Sequence, residues 1–135
     1  METWETGGVL AYFRSMSNEL STPRILVCPA DTRRSVKLWS ELTGTNVSYF
    51  ADVDSNPRVP TSLLCGDRNL VVNGVRARSG LLTFTANTTM GWDEDMHNLA
   101  GNILVGDGSV QQATSTRLND LVAEIGRATN RILIP

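Results

Sequence analysis

The chain has 135 residues, with 12 Lys and Arg against 14 Asp and Glu and a formal net charge of −2. This length fits one compact domain, and the near-neutral charge, shared by both halves of the chain, argues against a basic nucleic-acid-binding module. The longest aliphatic runs, residues 25–27 and 132–134, are far shorter than the ~20 residues of a membrane span. We therefore expect a soluble domain with no nucleic-acid partner.

The N-terminus carries no secretory signal, because residues 1–7 are polar and acidic where a signal would have a cationic segment and an apolar run. Taken literally, this predicts a cytoplasmic protein. Nothing in residues 1–7 indicates structure, so a chain trimmed at its N-terminus is the alternative. The two cysteines, Cys28 and Cys65, are compatible either with one disulfide or with two buried thiols.

Helical periodicity opens the chain, because Val9, Phe13, Met16 and Leu20 recur on one helical face. Pro23 ends this helix, since proline disfavours helical geometry in the residue before it. The predicted elements of the first half are a helix over 9–20, a buried strand over 25–28, a short helix capped by Asp31 or Thr32 and ended by Gly44, a strand over 46–50, and a surface loop over 51–61.

Two turn signals organise the second half, because Asn73-Gly74 and Asp107-Gly108 favour the positive φ angles of two-residue hairpin turns. The second turn would set Val105 opposite Val110. An α+β fold follows, with an antiparallel sheet packed against helices. The same register places Ile103 on the face of the sheet that carries the valine pair, and Leu104 and Gln111 on the opposite face. The remaining predicted elements are extended segments over 62–65 and 70–72, a strand over 81–85, hairpin strands over 102–106 and 109–112, a helix over 115–127, and an edge strand over 131–134.

His97 is the only histidine, which excludes a histidine-rich zinc site. The acidic run Asp93-Glu94-Asp95 precedes it, so a metal-linked or acid/base role is conceivable. We favour the simpler interpretation, in which His97 makes hydrogen bonds that fix the loop before the hairpin. No Gly-x-Ser-x-Gly nucleophile motif occurs, and neither a phosphate-binding nor a dinucleotide-binding glycine loop is present.

Calcium has weak candidate ligands in Asp52, Asp54 and Asn56, which alternate along the predicted loop. Pro57 stands where an EF-hand requires glycine, and no glutamate closes a 12-residue frame. We therefore expect an ordinary solvated loop and no tight calcium site.

A family resemblance lies in three segments. The spacing of His97, nine further residues and then Asp107-Gly108 resembles the prepilin-type processing-associated domain of bacterial pseudopilin-like proteins. Cys28-Pro29-Ala30-Asp31, which lacks the second cysteine of a redox motif, resembles a signature of the same proteins. Gly66-Asp67-Arg68-Asn69, which its glycine and polar residues indicate to be a turn, resembles the branch found in Verrucomicrobia and related bacteria, as do residues 17–20 and 46–50.

The resemblance, which covers about residues 8–112, implies a type IV pilin-like or type II secretion pseudopilin-like structural subunit. Such proteins begin with a prepilin peptidase site and a hydrophobic helix that anchors the precursor in the inner membrane. Since this sequence has neither, the resemblance implies a chain trimmed to its extracytoplasmic head, with Met1 supplied by the expression start. It also implies a non-enzymatic protein without a cofactor, whose partners are other pilin-like subunits and secretion-apparatus proteins.

In this interpretation His97 and Asp107-Gly108 organise the fold, and the isolated head is monomeric or weakly associating. The family often has a cysteine just beyond the membrane helix, which gives Cys28 a second candidate disulfide partner besides Cys65. The competing hypothesis is a small enzyme or a ligand- or metal-binding domain. It would use His97 with Asp107, Asp67 or Asp31.

Overall fold

A computed structural model describes residues 8–56 and 58–135. The predictions for residues 1–7 and for Pro57 lie outside the described residues. The helices are α1 (Gly8–Ser15), α2 (Ser17–Leu20) and α3 (Ser115–Ile125), with 3-10 turns at Pro23–Leu26, Trp39–Glu41 and Gly44–Asn46. The strands are β1 (Tyr49–Asp52), β2 (Leu63–Asp67), β3 (Leu70–Val72), β4 (Val75–Arg76), β5 (Gly80–Phe84), β6 (Met90–Trp92), β7 (Ala100–Val105), β8 (Val110–Thr114) and β9 (Asn130–Ile134).

The strands form two antiparallel sheets. The larger has six strands in the order β5-β9-β1-β2-β7-β8, and the smaller has the order β4-β3-β6. Together with the helices they confirm the predicted α+β class with an antiparallel sheet. No helix within residues 8–56 and 58–135 is long and apolar enough to span a bilayer.

Both faces of the six-stranded sheet are covered by apolar layers. Because successive strand residues point to opposite faces, Phe50 and Ile132 belong to one layer while their neighbours Ala51 and Leu133 belong to the other. The first layer includes Leu118, Leu121 and Val122 of α3, and the second includes Val9 and Phe13 of α1 together with Leu26, Leu42 and Val47.

Helix α3 is attached to the smaller sheet by its polar side chains as well as its apolar stripe. Asn119 Oδ1 accepts a hydrogen bond from Met90 N (2.9 Å), and its Nδ2 donates one to Met90 O (2.8 Å). Met90 lies in the edge strand β6, so Asn119 satisfies backbone groups that no neighbouring strand pairs. Helix α3 therefore closes the edge of the small sheet.

The predicted first helix exists but is divided at Met16, which separates α1 from α2. The predicted buried strand over 25–28 is wrong, because residues 23–26 form a 3-10 turn. The Thr22 side chain accepts a hydrogen bond from Arg24 N, and Pro23 supplies the fixed φ of a helical first turn. Ile25 is therefore half exposed, at 50%, instead of buried.

The second predicted helix is also wrong, since only the short 3-10 turns Trp39–Glu41 and Gly44–Asn46 form there. Side chains satisfy the local carbonyls instead of a helical ladder. Arg33 donates to the carbonyls of Gly44 (2.6 Å) and Val47 (2.8 Å), and Asn46 Nδ2 donates to the carbonyl of Arg34 (2.7 Å). The strand predicted at 46–50 starts later, and Asp52 is a buried strand residue where a loop was expected.

Of the two predicted hairpins, the first is confirmed, since Asn73 (φ 49°) and Gly74 (φ 79°) connect paired Val72 and Val75. The second is present with a different turn. Of the predicted turn residues Asp107 and Gly108, only Gly108 (φ 85°) has a positive φ angle. The loop has three residues, 106–108, and is closed by hydrogen bonds from Gly108 N to Val105 O and from Val105 N to Ser109 O.

The extra loop residue shifts the predicted register of this hairpin by one position. Val110 pairs with Leu104, and Gln111 pairs with Ile103. Because a one-residue shift moves a side chain to the other face, Val110 is 68% exposed while Ile103 and Val105 remain in the core. The predicted valine pair was therefore wrong, although both strands of the hairpin exist.

The last two predicted elements form, with one correction of position. Helix α3 ends at a left-handed Gly126 (φ 71°), one residue after Ile125. Strand β9 is not an edge strand as predicted, because it lies between β5 and β1. Its buried run of Ile132, Leu133 and Ile134 fits this interior position, where both faces of the strand are covered.

One close contact in β7 gives a prediction for stability. A Cβ atom at Gly101 would overlap the indole ring of Trp92, which is 3% exposed and donates its Nε1 hydrogen to Asp67 O (3.1 Å). We expect Gly101→Ala to lower the free energy of unfolding by about 1–3 kcal/mol, because the ring must move and its hydrogen bond is lost. Urea denaturation followed by tryptophan fluorescence measures this.

Gly44→Ala is the matched control, because no atom of the described residues lies within 4 Å of a Cβ atom at that position. It should leave the unfolding midpoint nearly unchanged. Equal stability of both variants would contradict the packing assigned to Gly101.

Candidate functional site

Cys28-Pro29-Ala30-Asp31, one of the segments that carry the family resemblance, forms a proline turn beside the six-stranded sheet. Asp31 N donates to Cys28 O (2.9 Å), so Pro29 occupies the second position of a β-turn that carries Cys28 and Asp31 at its two ends. Cys28 N donates to the Ser48 hydroxyl (2.9 Å), which fixes the turn just before β1. Asp31 begins no helix, contrary to the prediction that Asp31 or Thr32 caps one.

Asp31 instead forms a buried ion pair with Arg68. The Arg68 guanidinium donates from Nε to Asp31 Oδ2 and from a terminal nitrogen to Oδ1, both at 2.8 Å, and Ser48 Oγ also donates to Oδ2 (2.8 Å). The Asp31 side chain is 1% exposed. Burial raises its pKa, but the hydrogen bonds from Arg68 and Ser48 outweigh burial and lower that pKa to about 2.

The segment Gly66-Asp67-Arg68-Asn69 was predicted as a turn, but Gly66 and Asp67 belong to strand β2. A Cβ atom at Gly66 would overlap the ring of Phe50, so glycine is required by packing. Asn69 Nδ2 donates to Asp93 Oδ1 (2.7 Å) and to Asp95 O (2.9 Å), which ties the connection between β2 and β3 to the loop before His97. The acidic run thus has a structural contact as well as its charge.

His97 lies in an unusual loop, since Met96, Asn98 and Leu99 all have positive φ angles. Its Nε2 atom faces the interior, 3.3 Å from Asp67 Oδ2 and 3.5 Å from Cys28 Sγ. The predicted partnership with Asp67 is therefore present.

The other two predicted carboxylate partners do not contact His97. Asp31 is held by Arg68, and Asp107 lies beyond the far end of β7, five residues after Asn102 or roughly 15 Å away at the rise of a strand. Asp107 is exposed at the hairpin tip, where its carboxylate accepts from Ser109 N (2.8 Å). The Ser109 side chain and this backbone bond both lower the pKa of Asp107. Together with Gly108, Asp107 therefore acts in the hairpin loop.

Asn102 and Ser48 are the site residues that the sequence prediction missed. Asn102 Nδ2 lies 3.2 Å from His97 Nε2, and Asn102 N donates to Asp67 Oδ2 (2.6 Å). The sequence signal that could have indicated Asn102 is its position as a polar residue, two residues before Leu104, in an otherwise apolar strand. Ser48 carried no such signal, because its partners Cys28 and Asp31 are distant in sequence.

The cluster of Cys28, Asp67 and His97 is mostly buried, with side-chain exposures of 1% for Asp67 and 20% for His97. Burial raises the pKa of Asp67 against the opposing hydrogen bonds from Asn102 and the attraction of His97. Asp67 Oδ1 has no hydrogen-bond partner among residues 8–56 and 58–135. A buried carboxylate oxygen without a partner is costly, so the cluster has unused capacity for a ligand or a proton.

The geometry of this cluster differs from that of a catalytic triad. In a triad the nucleophile and the acid face opposite ring nitrogens of histidine. Here Cys28 Sγ and Asp67 Oδ2 both approach Nε2. Asp67 therefore does not orient the ring by holding the nitrogen opposite the thiol.

The two cysteines line one cleft of about 340 Å³ with Tyr49, Asp67 and Asn102. Both carry free thiols in the structure. Burial raises the pKa of the Cys65 thiol to about 11 and that of Tyr49 to about 12. Disulfide formation by Cys28, with Cys65 or with a cysteine outside this sequence, stays a prediction.

The weak calcium candidates go to separate protein partners. Arg131 donates two hydrogen bonds to Asp54 (2.7 and 3.1 Å), and Asn56 Oδ1 accepts from Arg58 N (3.0 Å). Asp52 Oδ1 accepts from Asp54 N (2.7 Å) and lies 3.8 Å from Arg127, while burial raises the pKa of Asp52 to about 6. These oxygens therefore serve the loop and its arginines.

Comparison with known proteins gives no relative: no protein-family model matches the chain, and no curated protein or solved structure is significantly similar to it. The cluster's geometry and the motif resemblance are therefore the available guides to function.

The Asp31–Arg68 pair gives a stability prediction. Arg68→Leu should lower the free energy of unfolding by about 3–5 kcal/mol at pH 7, because it leaves a buried carboxylate without its cation. Asp31 has a lowered pKa in the folded state, so its stabilising effect is present above about pH 4 and is lost as pH falls towards 2. The difference between wild type and variant should shrink over that range in urea titrations.

Arg117→Leu is the control for this experiment. It removes an exposed pair with Glu124, whose members are 41% and 46% exposed, and should cost less than about 1 kcal/mol. A similar loss in both variants, or a difference that does not change with pH, would contradict the role assigned to Arg68.

Proposed function

We propose that the chain is the non-enzymatic head of a type IV pilin-like or type II secretion pseudopilin-like subunit. The observation that carries the proposal is that the segments responsible for the family resemblance contact one another. Asp31 of segment 28–31 pairs with Arg68 of segment 66–69. Cys28 and Asp67, from the same two segments, meet at His97. Motif residues that bind one another through hydrogen bonds and an ion pair are typical of a motif with a structural role.

The position of Asp107-Gly108 supports the same proposal. In an enzyme built on the motif, His97 and Asp107 would have to share a substrate, yet they lie at opposite ends of β7. Each has a local structural contact instead: His97 with Asp67, and Asp107 with Ser109. The nine-residue spacing is then the length of one hairpin strand with its entry loop, which supports a role in folding over one in chemistry.

The head also offers surface for neighbouring subunits. Residues 58–61 are exposed, and this loop is braced against the hairpin by a hydrogen bond from Asp107 N to Pro60 O (3.2 Å). A braced exposed loop loses little conformational entropy on contact with a partner. Assembly itself would come from an upstream hydrophobic helix, and the full-length protein would be extracytoplasmic and anchored in the inner membrane.

The alternative, a small enzyme or a ligand- or metal-binding domain, is supported by the grouping of Cys28, Asp67 and His97. A hydrolase using this group is disfavoured by the shared ring nitrogen. Metal binding does not have this difficulty and is compatible with a structural head.

The gene sequence preceding the codon for Glu2 tests the proposal directly. We expect a prepilin cleavage site followed by ~20 apolar residues. The full-length product should then lose its leader and enter the sheared filament fraction only in cells that contain the prepilin peptidase, as measured by mass and immunoblot. Residues 8–135 expressed alone are the control and should stay out of that fraction, whereas a free-standing start codon before Glu2 would contradict the proposal.

His97→Ala separates the structural proposal from the enzyme alternative. We expect a lower melting temperature, because Asp67 and Cys28 lose a shared buried partner, and no catalytic activity that depends on this residue. Differential scanning calorimetry measures the first effect, and hydrolase assays of the wild type and the variant measure the second. A robust activity lost in the variant would refute the structural role.

A further inference from the structure

The cluster at His97 contains three donor types that bind metal ions: a thiol, a carboxylate and an imidazole. They come from three separate segments, namely the turn before β1, strand β2 and the loop before β7. One donor atom of each, the Cys28 sulfur, a carboxylate oxygen of Asp67 and a ring nitrogen of His97, lies within 4.8 Å of the other two.

Hydrogen bonding within the protein does not use this cluster fully. Nε2 has one position in the ring plane, which holds either a hydrogen or a lone pair. Asp67 Oδ2, Cys28 Sγ and Asn102 Nδ2 all approach it within 3.5 Å, so they compete for a single bond. In addition, Asp67 Oδ1 is buried, on a side chain that is 1% exposed, and has no hydrogen-bond partner in the part of the chain that the structure describes.

The distances fit a tetrahedral ion between the three atoms. Zinc binds nitrogen and oxygen at about 2.0–2.1 Å and sulfur at about 2.3 Å, which places tetrahedral neighbours about 3.3 Å apart for nitrogen and oxygen and about 3.5 Å apart for nitrogen and sulfur. The observed separations are 3.3 Å from Nε2 to Oδ2 and 3.5 Å from Nε2 to Sγ. Two of the three donor separations therefore match those of a tetrahedral zinc site, and the third, between the Cys28 and Asp67 donors, is at most 4.8 Å.

We propose that Cys28, Asp67 and His97 bind a thiophilic divalent cation of the zinc class. Thiolate and imidazole ligands select such an ion over calcium or magnesium, which prefer oxygen. On binding, the Cys28 sulfur forms the metal bond and its proton is released to solvent. Solvent in the cleft that Cys28 and Asp67 share with Cys65 completes the fourth position.

Neighbouring groups hold the proposed ligands in place. Asn102 N donates to Asp67 Oδ2 (2.6 Å), and the Ser48 hydroxyl accepts from Cys28 N (2.9 Å). Such outer contacts orient ligands and raise metal affinity. The metal site goes beyond the proposed structural function, because the bound metal would cross-link the three segments that carry the family resemblance. Its test does not depend on whether the chain is a pilin-like subunit.

Titration of the reduced, chelator-treated chain with Co²⁺ and Zn²⁺ tests the site. We expect one Co²⁺ per chain, a thiolate-to-cobalt charge-transfer band with the intense visible bands of tetrahedral cobalt, and displacement by Zn²⁺. Cys28→Ser should abolish the charge-transfer band, and Asp67→Asn or His97→Gln should weaken binding at least tenfold. Cys65→Ser is the matched control and should keep both the band and the affinity.

A measurement on the wild type covers the case in which a ligand variant does not fold. Zn²⁺ should slow the alkylation of Cys28 at least tenfold, and that of Cys65 much less, with peptide mass spectrometry reporting each cysteine. Absence of the charge-transfer band, unchanged alkylation of Cys28, or loss of the band in Cys65→Ser would each overturn the proposal.

Discussion

The buried ion pair between Asp31 and Arg68 is the contact on which the polar side of this fold depends. It joins a turn that precedes the sheet to the end of β2, and no regular secondary structure makes that connection. A buried carboxylate needs its cation, so the two segments must meet in the folded state. Once they meet, Cys28 and Asp67 are brought to the same place, and the loop that carries His97 can close over both.

This arrangement gives a physical meaning to a spaced motif. The histidine and the Asp-Gly pair are separated by one strand, and each fixes a different end of it. His97 holds the start of β7 to Asp67, while Gly108 supplies the positive φ that the loop after β7 requires. A motif of this type constrains the register and ends of a strand, which is a sufficient reason for its spacing without any shared chemistry.

The apolar part of the fold was more predictable than the polar part. Helix α3 and the Asn73-Gly74 hairpin follow from local periodicity and turn chemistry, and both form as predicted. The helix expected after Asp31 failed because Arg33 and Asn46 satisfy the backbone from a distance. The register of the second hairpin failed because a three-residue loop replaced a two-residue turn, a difference of one residue that sequence alone does not resolve.

The sequence by itself determined the α+β class and the helix over residues 115–125, because periodicity is a local property. The motif resemblance also drew attention to Cys28, Asp31, Asp67 and His97. Only the tertiary structure decided which of these residues meet. Asp31 pairs with Arg68, whereas Cys28 and Asp67 both contact the Nε2 nitrogen of His97. Partner choice among buried polar groups depends on long-range packing and on the cost of leaving any charge unpaired, and neither is encoded in a local pattern.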